Sequence, residues 1–319
     1  MKRLLVVVVA VAAYLAIVFA VSKGSSPTAR ITGFDMLALP GETIELRALM
    51  EKDGPTLFRP NFAGIEVQFY LRGRVDRFPL TVTSSTNEGT KIGERNGESD
   101  GYVAISYQAP AEPGSYRIDV RLANPAELEL NSTNNYLLLT VMPAERAIIA
   151  TAIDRTLCHP TSATAAVVTP PLNNASEVLN KAASDAQVVY ITERPVHRAL
   201  ETRNWLSEFS FPPGPVLFRE NWYDPAQTNI PESYFKALFL VRQVQPKWSN
   251  VAWGIAKIPE DGEAYSANGI RPILVQPENL IGAGAQLRAV EGWSEVGVIF
   301  ENEGFRPTSP ADDVPTEDR

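Results

Sequence analysis

The segment Arg146–Cys158 constrains the fold more than any other part of the chain. It is a run of small and β-branched apolar residues that leads into an acidic residue, Asp154. A short continuous apolar run of this kind predicts a strand that is buried on both faces, as in a parallel sheet. Because open α/β sheets bind ligands beyond the carboxyl ends of their strands, the residues after this strand are the first candidates for a functional site.

Strand and helix patterns alternate beyond the junction Met142–Glu145, which predicts a mainly parallel sheet. The predicted strands are Ala147–Ile153, Val188–Ile191, Val216–Phe218, Val251–Trp253 and Ile273–Val275. The predicted helices are Ala175–Ala183, one through Val196 and Leu206, and one from Pro231 to Gln243.

The preceding part, from Thr28 to Met142, has the short alternating runs and turn-rich spacing of a β-sandwich. Its predicted strands are Ile44–Leu49, Ile65–Leu71, Phe78–Val82, Tyr102–Tyr107, Tyr116–Leu122 and Tyr136–Val141. The hairpin pattern Asp100–Ile118 resembles bacterial immunoglobulin-like modules, which implies a spacer or an adhesive surface.

The N-terminus predicts membrane association. Lys2 and Arg3 precede an apolar run, Leu4–Val21, of about 18 residues, which is the lower limit for a helix that spans a bilayer. The basic residues would leave the N-terminus in the cytoplasm and the body outside, periplasmic or extracellular. A cleaved signal peptide is the alternative, since Val18–Ala20 fits a cleavage site, and the protein would then be secreted.

Composition excludes several classes of function. With a net charge of -8, the chain is not expected to bind nucleic acid, because phosphate backbones are bound by basic surfaces. The single cysteine excludes a multi-cysteine zinc site, and two histidines are too few to predict a histidine-rich metal cluster.

Several ordered motifs carry a family resemblance. Ala152–Thr156 resembles the Asp-x-Asp-x-Thr signature of haloacid-dehalogenase-type (HAD) phosphotransferases. Four further motifs resemble the lipin-type HAD domain of phosphatidate phosphatases and of Nir-type phosphatidylinositol transfer proteins. They are Tyr190–Pro195 with Thr202–Leu206, Phe211–Val216, Tyr234–Lys236, and Pro259–Asp261 with Tyr265 and Gly269. The resemblance covers roughly residues 146–290.

The resemblance implies a role for each matching position. These roles are acid/base for Asp154, phosphate contact for Thr192 and Lys236, magnesium ligand for Asp261, and additional phosphate contact for Arg194 and Arg155. Five of these positions also have a simpler explanation, since Asp154 could cap a turn, Thr192 could be an ordinary β-branched residue at a strand end, and Lys236, Asp261 and Arg155 could be surface residues.

Ala152 departs from the motif at the position of the nucleophilic aspartate. A methyl group can neither attack phosphorus nor bind Mg²⁺, which prefers oxygen ligands. We therefore expect a catalytically inactive domain with a weakened Mg²⁺ site. It would bind a phosphorylated ligand, such as an anionic lipid headgroup, or a protein partner. Two alternatives stay open. One is a magnesium-dependent phosphatase with an unrecognised nucleophile, and the other is a purely structural envelope protein.

The predicted organisation has four parts. They are a signal anchor and linker (1–27), an immunoglobulin-like β-sandwich (28–143), a HAD-like lipin-type domain (144–302) and a disordered acidic tail (303–319).

Overall fold

The computed structural model describes most of the chain from residue 28 onward. The described residues are 28–52, 65–75, 89–91, 94–95, 98–99, 102–124, 129–130, 135–159, 169–218, 236–237, 239–277 and 287–306. Everything below refers to these residues.

The predicted transmembrane fold class and single-pass membrane location need correction. Within the described ranges, no helix is long and apolar enough to cross a membrane. The stretch Leu4–Val21, on which both predictions depended, lies outside those ranges.

The first domain is a β-sandwich. Its first sheet has the strand order β10-β1-β3-β8, and its second has the order β2-β11-β9-β4-β5. Inward-facing residues of both sheets, among them Leu46, Phe69 and Leu139, form one buried core. A further two-stranded ribbon pairs β6 with β7. The strands are β1 (Thr28–Gly33), β2 (Met36–Ala38), β3 (Thr43–Lys52), β4 (Glu66–Arg74), β5 (Gly89–Lys91), β6 (Glu94–Arg95), β7 (Glu98–Ser99), β8 (Tyr102–Gln108), β9 (Gly114–Leu122), β10 (Glu129–Leu130) and β11 (Tyr136–Val141).

The chain crosses from one sheet to the other at Phe34 and Asp35. Strand β1 pairs with β3 in the first sheet, whereas β2 pairs with β11 in the second. The crossing turns Asp35 out of both ladders, and this residue becomes a contact to the second domain.

The second domain contains the predicted parallel sheet. Every neighbouring pair of strands is parallel, and the order is β14-β13-β12-β15-β16-β17. Counted within the domain, this is the 3-2-1-4-5-6 order of doubly wound folds. The strands are β12 (Ala147–Ala152), β13 (Ala186–Thr192), β14 (Val216–Phe218), β15 (Val251–Ala256), β16 (Arg271–Val275) and β17 (Arg288–Val290). The helices are α1 (Ala175–Ala182), α2 (Ala199–Glu208), α3 (Pro259–Ala267) and α4 (Trp293–Glu303), with a 3₁₀ turn at Val196–Arg198 and a π-helix at Leu240–Val244.

Alternate residues of β12 and β13 enter separate cores on the two faces of this sheet. Ile149 and Val188 pack in the core that includes residues of α1, α2 and α4. Ile148 and Val189 pack in the core on the other face, with the π-helix and α3. Burial on both faces explains why β12 is apolar at every position except Thr151.

Some predicted elements differ from the structure or lie outside its described part. The predicted strand Phe78–Val82 lies outside it, as do residues 231–235 and 238 of the predicted helix Pro231–Gln243. The Pro259–Asp261 motif forms the first turn of helix α3, where proline is well tolerated. Glu303, assigned to the tail from sequence, is the last residue of α4.

Candidate functional site

The strand order fixes where a ligand site would lie. The connections reverse direction between β12 and β15, and in doubly wound folds the crevice beyond the carboxyl ends of two such strands is the ligand site. Both strands end in alanine here. Ala152 is 2% exposed and Ala256 is fully buried, so neither contributes a polar group to the crevice.

Asp154, two residues beyond Ala152, is held by the next strand. The Thr192 hydroxyl at the end of β13 donates a hydrogen bond of 2.6 Å to Asp154 Oδ2. Arg194 Nε donates one of 2.8 Å to Asp154 Oδ1. The Arg194 backbone N–H in turn donates to Thr192 Oγ1 at 3.1 Å. Both carboxylate oxygens therefore already accept charge-assisted or hydroxyl hydrogen bonds.

Arg155 has a strained backbone at the same edge. Its φ angle is +65°, in the left-handed region that β-carbon sterics disfavour. A glycine would adopt that conformation without strain. The Arg155 side chain is exposed, and no described residue forms an ion pair with it.

Lys236 occupies the buried part of the site. Its ammonium Nζ lies 2.6 Å from Asp261 Oδ2 and 2.9 Å from Glu193 Oε1. The Lys236 and Asp261 side chains are 5% and 1% exposed. One buried cation is thus shared by two carboxylates, of which Asp261 is buried and Glu193 is 34% exposed.

The two ionisable groups of the buried pair respond differently to burial. Burial acts to lower the pKa of Lys236, but Asp261 and Glu193 together outweigh it and raise that pKa above its usual value. For Asp261, burial raises the pKa and the attraction of Lys236 opposes this only in part, because Glu193 and Glu260 add repulsion. Both pKa values are therefore raised, that of Lys236 by its two neighbouring acids and that of Asp261 mainly by burial.

Gly254 on β15 sets the position of the helix that carries Asp261. A β-carbon at residue 254 would lie 2.6 Å from the ring of Tyr265, so only glycine lets α3 pack this closely on the strand. The Tyr265 hydroxyl and Asp261 Oδ1 are both buried, and neither has a hydrogen-bond partner among the described residues. Burial strongly raises the pKa of Tyr265, which keeps this hydroxyl neutral.

Three consecutive residues join the two halves of the site. Thr192 and Arg194 contact Asp154, while Glu193 between them contacts Lys236. The structure therefore brings the predicted residues Asp154, Thr192 and Arg194 into one cluster, and places Lys236 with Asp261 in a second that adjoins it through Glu193. The sequence reading missed Glu193, although it lies inside the Thr-Glu-Arg-Pro motif.

The residues present do not fit a magnesium ion. Ala152 offers no oxygen, Asp154 is occupied by Arg194 and Thr192, and Asp261 Oδ2 is bound by Lys236. Among the described residues there is no group of three or more His, Cys, Asp or Glu side chains that could hold a metal ion. A hard cation would need several free oxygen ligands, and among the buried carboxylate oxygens described at this site only Asp261 Oδ1 has no hydrogen-bond partner.

The β-sandwich contacts the segment that follows Thr192. Arg30 Nη1 donates to the His197 carbonyl at 2.9 Å. Arg203 on α2 donates to Asp35 from Nη2 at 2.7 Å and from Nε at 3.2 Å, and to the Gly33 carbonyl at 2.9 Å. Arg194 Nη1 lies 3.4 Å from the hydroxyl of Thr202, the neighbour of Arg203. The segment from Arg194 to Arg203 is thus held between the sandwich and the site.

Comparison with known proteins gives structural similarity only. No protein-family model and no curated protein matches the sequence. A crystal structure of D,D-heptose 1,7-bisphosphate phosphatase from B. bronchiseptica, complexed with magnesium and phosphate, is similar with a TM-score of 0.40 and 14% identity; the alignment covers 49% of this chain and 99% of that one. The core domain of a protein assigned as a phosphoglycolate phosphatase from Streptococcus pneumoniae TIGR4 has a TM-score of 0.33 and 17% identity, with 50% and 98% coverage.

The second domain has a doubly wound α/β fold. Its own strand order and the acidic, hydroxyl and lysine residues at the carboxyl edge are the features that agree with the predicted fold. At these TM-scores and identities, the solved structures say nothing about its substrate.

Proposed function

We propose that the α/β domain is a non-hydrolytic, lipin-type HAD-like domain that binds a phosphate-bearing ligand at the carboxyl edge of its sheet. The environment of Asp154 carries this proposal. Nucleophilic phosphoryl transfer needs a carboxylate free to attack phosphorus, and the alanine at 152 and the occupied carboxylate at 154 provide none.

The distribution of charge supports an anion at the outer half of the site. Asp154 faces Arg194 and is followed by Arg155, so this half has one excess positive charge. The buried half, with Lys236 between Glu193 and Asp261, has one excess negative charge. An approaching phosphate is therefore attracted to the outer arginines, whose guanidinium N–H groups match phosphate oxygens.

The strain at Arg155 also supports binding. A left-handed backbone costs a non-glycine residue about 1 kcal/mol or more, and such strain concentrates at functional sites. The guanidinium at this position offsets that cost if it contacts a ligand.

Binding of a phosphate monoester should depend on Arg155. We expect glycerol phosphate to bind the full chain in isothermal titration calorimetry, and Arg155→Gln to weaken the binding by about fivefold to tenfold, because one charge-assisted contact is lost. Arg288→Gln is the matched control. Arg288 is also exposed, but it lies at the amino end of β17, the outermost strand on the far side of the sheet from β14. Equal affinities for the two variants, or no binding to the parent protein, would contradict the proposal.

Hydrolysis is not expected. The full chain with Mg²⁺ should release phosphate from p-nitrophenyl phosphate no faster than a buffer blank. Metal-dependent turnover that disappears in Asp154→Asn would instead establish a phosphatase. Turnover gained in Ala152→Asp would show that the nucleophile alone is missing.

The source of the phosphate group is a separate question. Co-sedimentation with vesicles of phosphatidate or of phosphatidylcholine distinguishes a lipid headgroup from a soluble ester. If the protein binds phosphatidate vesicles preferentially and Arg155→Gln reduces this binding, the source of the phosphate is a lipid headgroup. Equal recovery with both vesicles, alongside retained binding of glycerol phosphate, would identify a soluble ester.

A further inference from the structure

Three arginines converge on one carboxylate on the outer face of the second sandwich sheet. Arg72 Nε lies 2.6 Å from Asp119 Oδ2, Arg117 Nε lies 2.8 Å from Oδ1, and Arg121 Nη2 lies 2.9 Å from Oδ2. We call Arg72, Arg117 and Arg121 the arginine cluster. Their side chains are 35%, 28% and 48% exposed, while Asp119 is 8% exposed.

The strand register and two tyrosines fix the arginine cluster in place. Asp119 on β9 lies directly opposite Tyr70 on β4 and Tyr136 on β11. The Arg117 guanidinium lies 4.3 Å from the centre of the Tyr136 ring, and that of Arg121 lies 5.4 Å from the Tyr70 ring. These cation–π contacts and the shared carboxylate hold the guanidinium groups before any partner arrives, which lowers the entropy cost of binding.

The arginine cluster has more positive charge than its own residues neutralise. One carboxylate, Asp119, compensates one of three guanidiniums. Among the described side chains of this face, Glu66, which lies on the same strand as Arg72 and accepts a 3.5 Å hydrogen bond from Gln68, reduces the excess to one charge, and Arg74 is paired with Glu112. A single arginine would suffice to satisfy Asp119, and each guanidinium has five N–H donors, so most of the donors stay available at the surface.

We propose that this face binds an acidic segment of a partner protein. The arginine cluster lies beside Tyr70 and Tyr136, and arginine and tyrosine are among the residues that most often dominate protein–protein binding energy. Carboxylates complement guanidinium forks, as Asp119 already demonstrates.

A labelled oligoglutamate peptide tests this surface on the full chain. In fluorescence anisotropy we expect it to bind at low salt, whereas an oligoglutamine peptide of equal length does not. Arg121→Gln and Arg117→Gln should each weaken the binding by about fivefold, since each removes one charged contact. Arg47→Gln should not change it, because Arg47 has the same 48% exposure as Arg121 but lies on β3 in the other sheet.

Two results would overturn the proposal. One is oligoglutamate binding that Arg121→Gln and Arg117→Gln leave unchanged, with unaltered circular dichroism in both variants. The other is tighter binding of a single-stranded oligonucleotide that the same variants weaken, which would make the partner a nucleic acid. We expect these variants to leave glycerol phosphate binding unchanged. Failure of the oligoglutamate test would therefore be distinguishable from failure of the proposed function.

Discussion

Arg203→Met is expected to destabilise the protein by about 3–5 kcal/mol, because it leaves the buried Asp35 carboxylate without its cation. The Arg203 and Asp35 side chains are 4% and 0% exposed. The backbone N–H groups of Leu138 at 2.7 Å and Val216 at 2.9 Å would still donate to Asp35, but these donors are neutral. Chemical denaturation followed by tryptophan fluorescence measures the change in unfolding free energy.

Two further variants separate a buried charge from a surface one. Arg47→Met removes an exposed arginine paired with Glu45 and should cost at most about 1 kcal/mol. The double variant Asp35→Leu with Arg203→Met should recover part of the loss, since no charge remains buried without a partner. A loss for Arg203→Met no greater than that for Arg47→Met would show that Asp35 is not held as described.

The same pair links the sandwich to the candidate site. Arg203 is next to Thr202, whose hydroxyl accepts from Arg194, and Arg194 contacts Asp154. The sandwich also contacts the 3₁₀ turn at His197 through Arg30. The arginine that we expect at the phosphate is thus positioned partly by the other domain, and the sandwich acts as more than a spacer.

Local sequence patterns predicted the parallel sheet well. Strands such as Ala147–Ile153 are continuous runs of small and β-branched residues because both of their faces are buried. Each strand can therefore be recognised from its own sequence. The family resemblance named Thr192, Lys236 and Asp261 as site residues, and all three lie near the carboxyl edge of the sheet.

The contacts that complete the site have no local signal. Asp35 and Arg203 are 168 residues apart in the chain, and Asp35 is polar at a position where its segment otherwise enters a core. Glu193 follows a strand end and looks like an ordinary exposed acid until Lys236 is placed beside it. Long-range ion pairs depend on the folded arrangement, so sequence periodicity cannot reveal them.

Lys236→Met is expected to cost about 3 kcal/mol near neutral pH and much less in mild acid. The variant leaves Asp261 buried with no cation, which raises its pKa further above the already raised value in the parent protein. A carboxyl whose folded pKa exceeds its unfolded pKa contributes its full stability below the unfolded value and loses it as the pH rises through the folded value. The variant therefore loses more stability than the parent as the pH rises, and the difference between them narrows as the pH falls.

Unfolding free energies of the parent and Lys236→Met, measured between about pH 5 and pH 8, test this dependence. Over this range Lys236 itself stays charged, because its raised pKa lies above the window, so the change in the difference reports on Asp261. Lys247→Met is the matched control, since Lys247 pairs with Glu42 at a half-exposed site and its effect should stay nearly constant with pH. A pH-independent loss for Lys236→Met would mean that packing of the lysine stem, and not charge compensation of Asp261, stabilises this edge of the sheet.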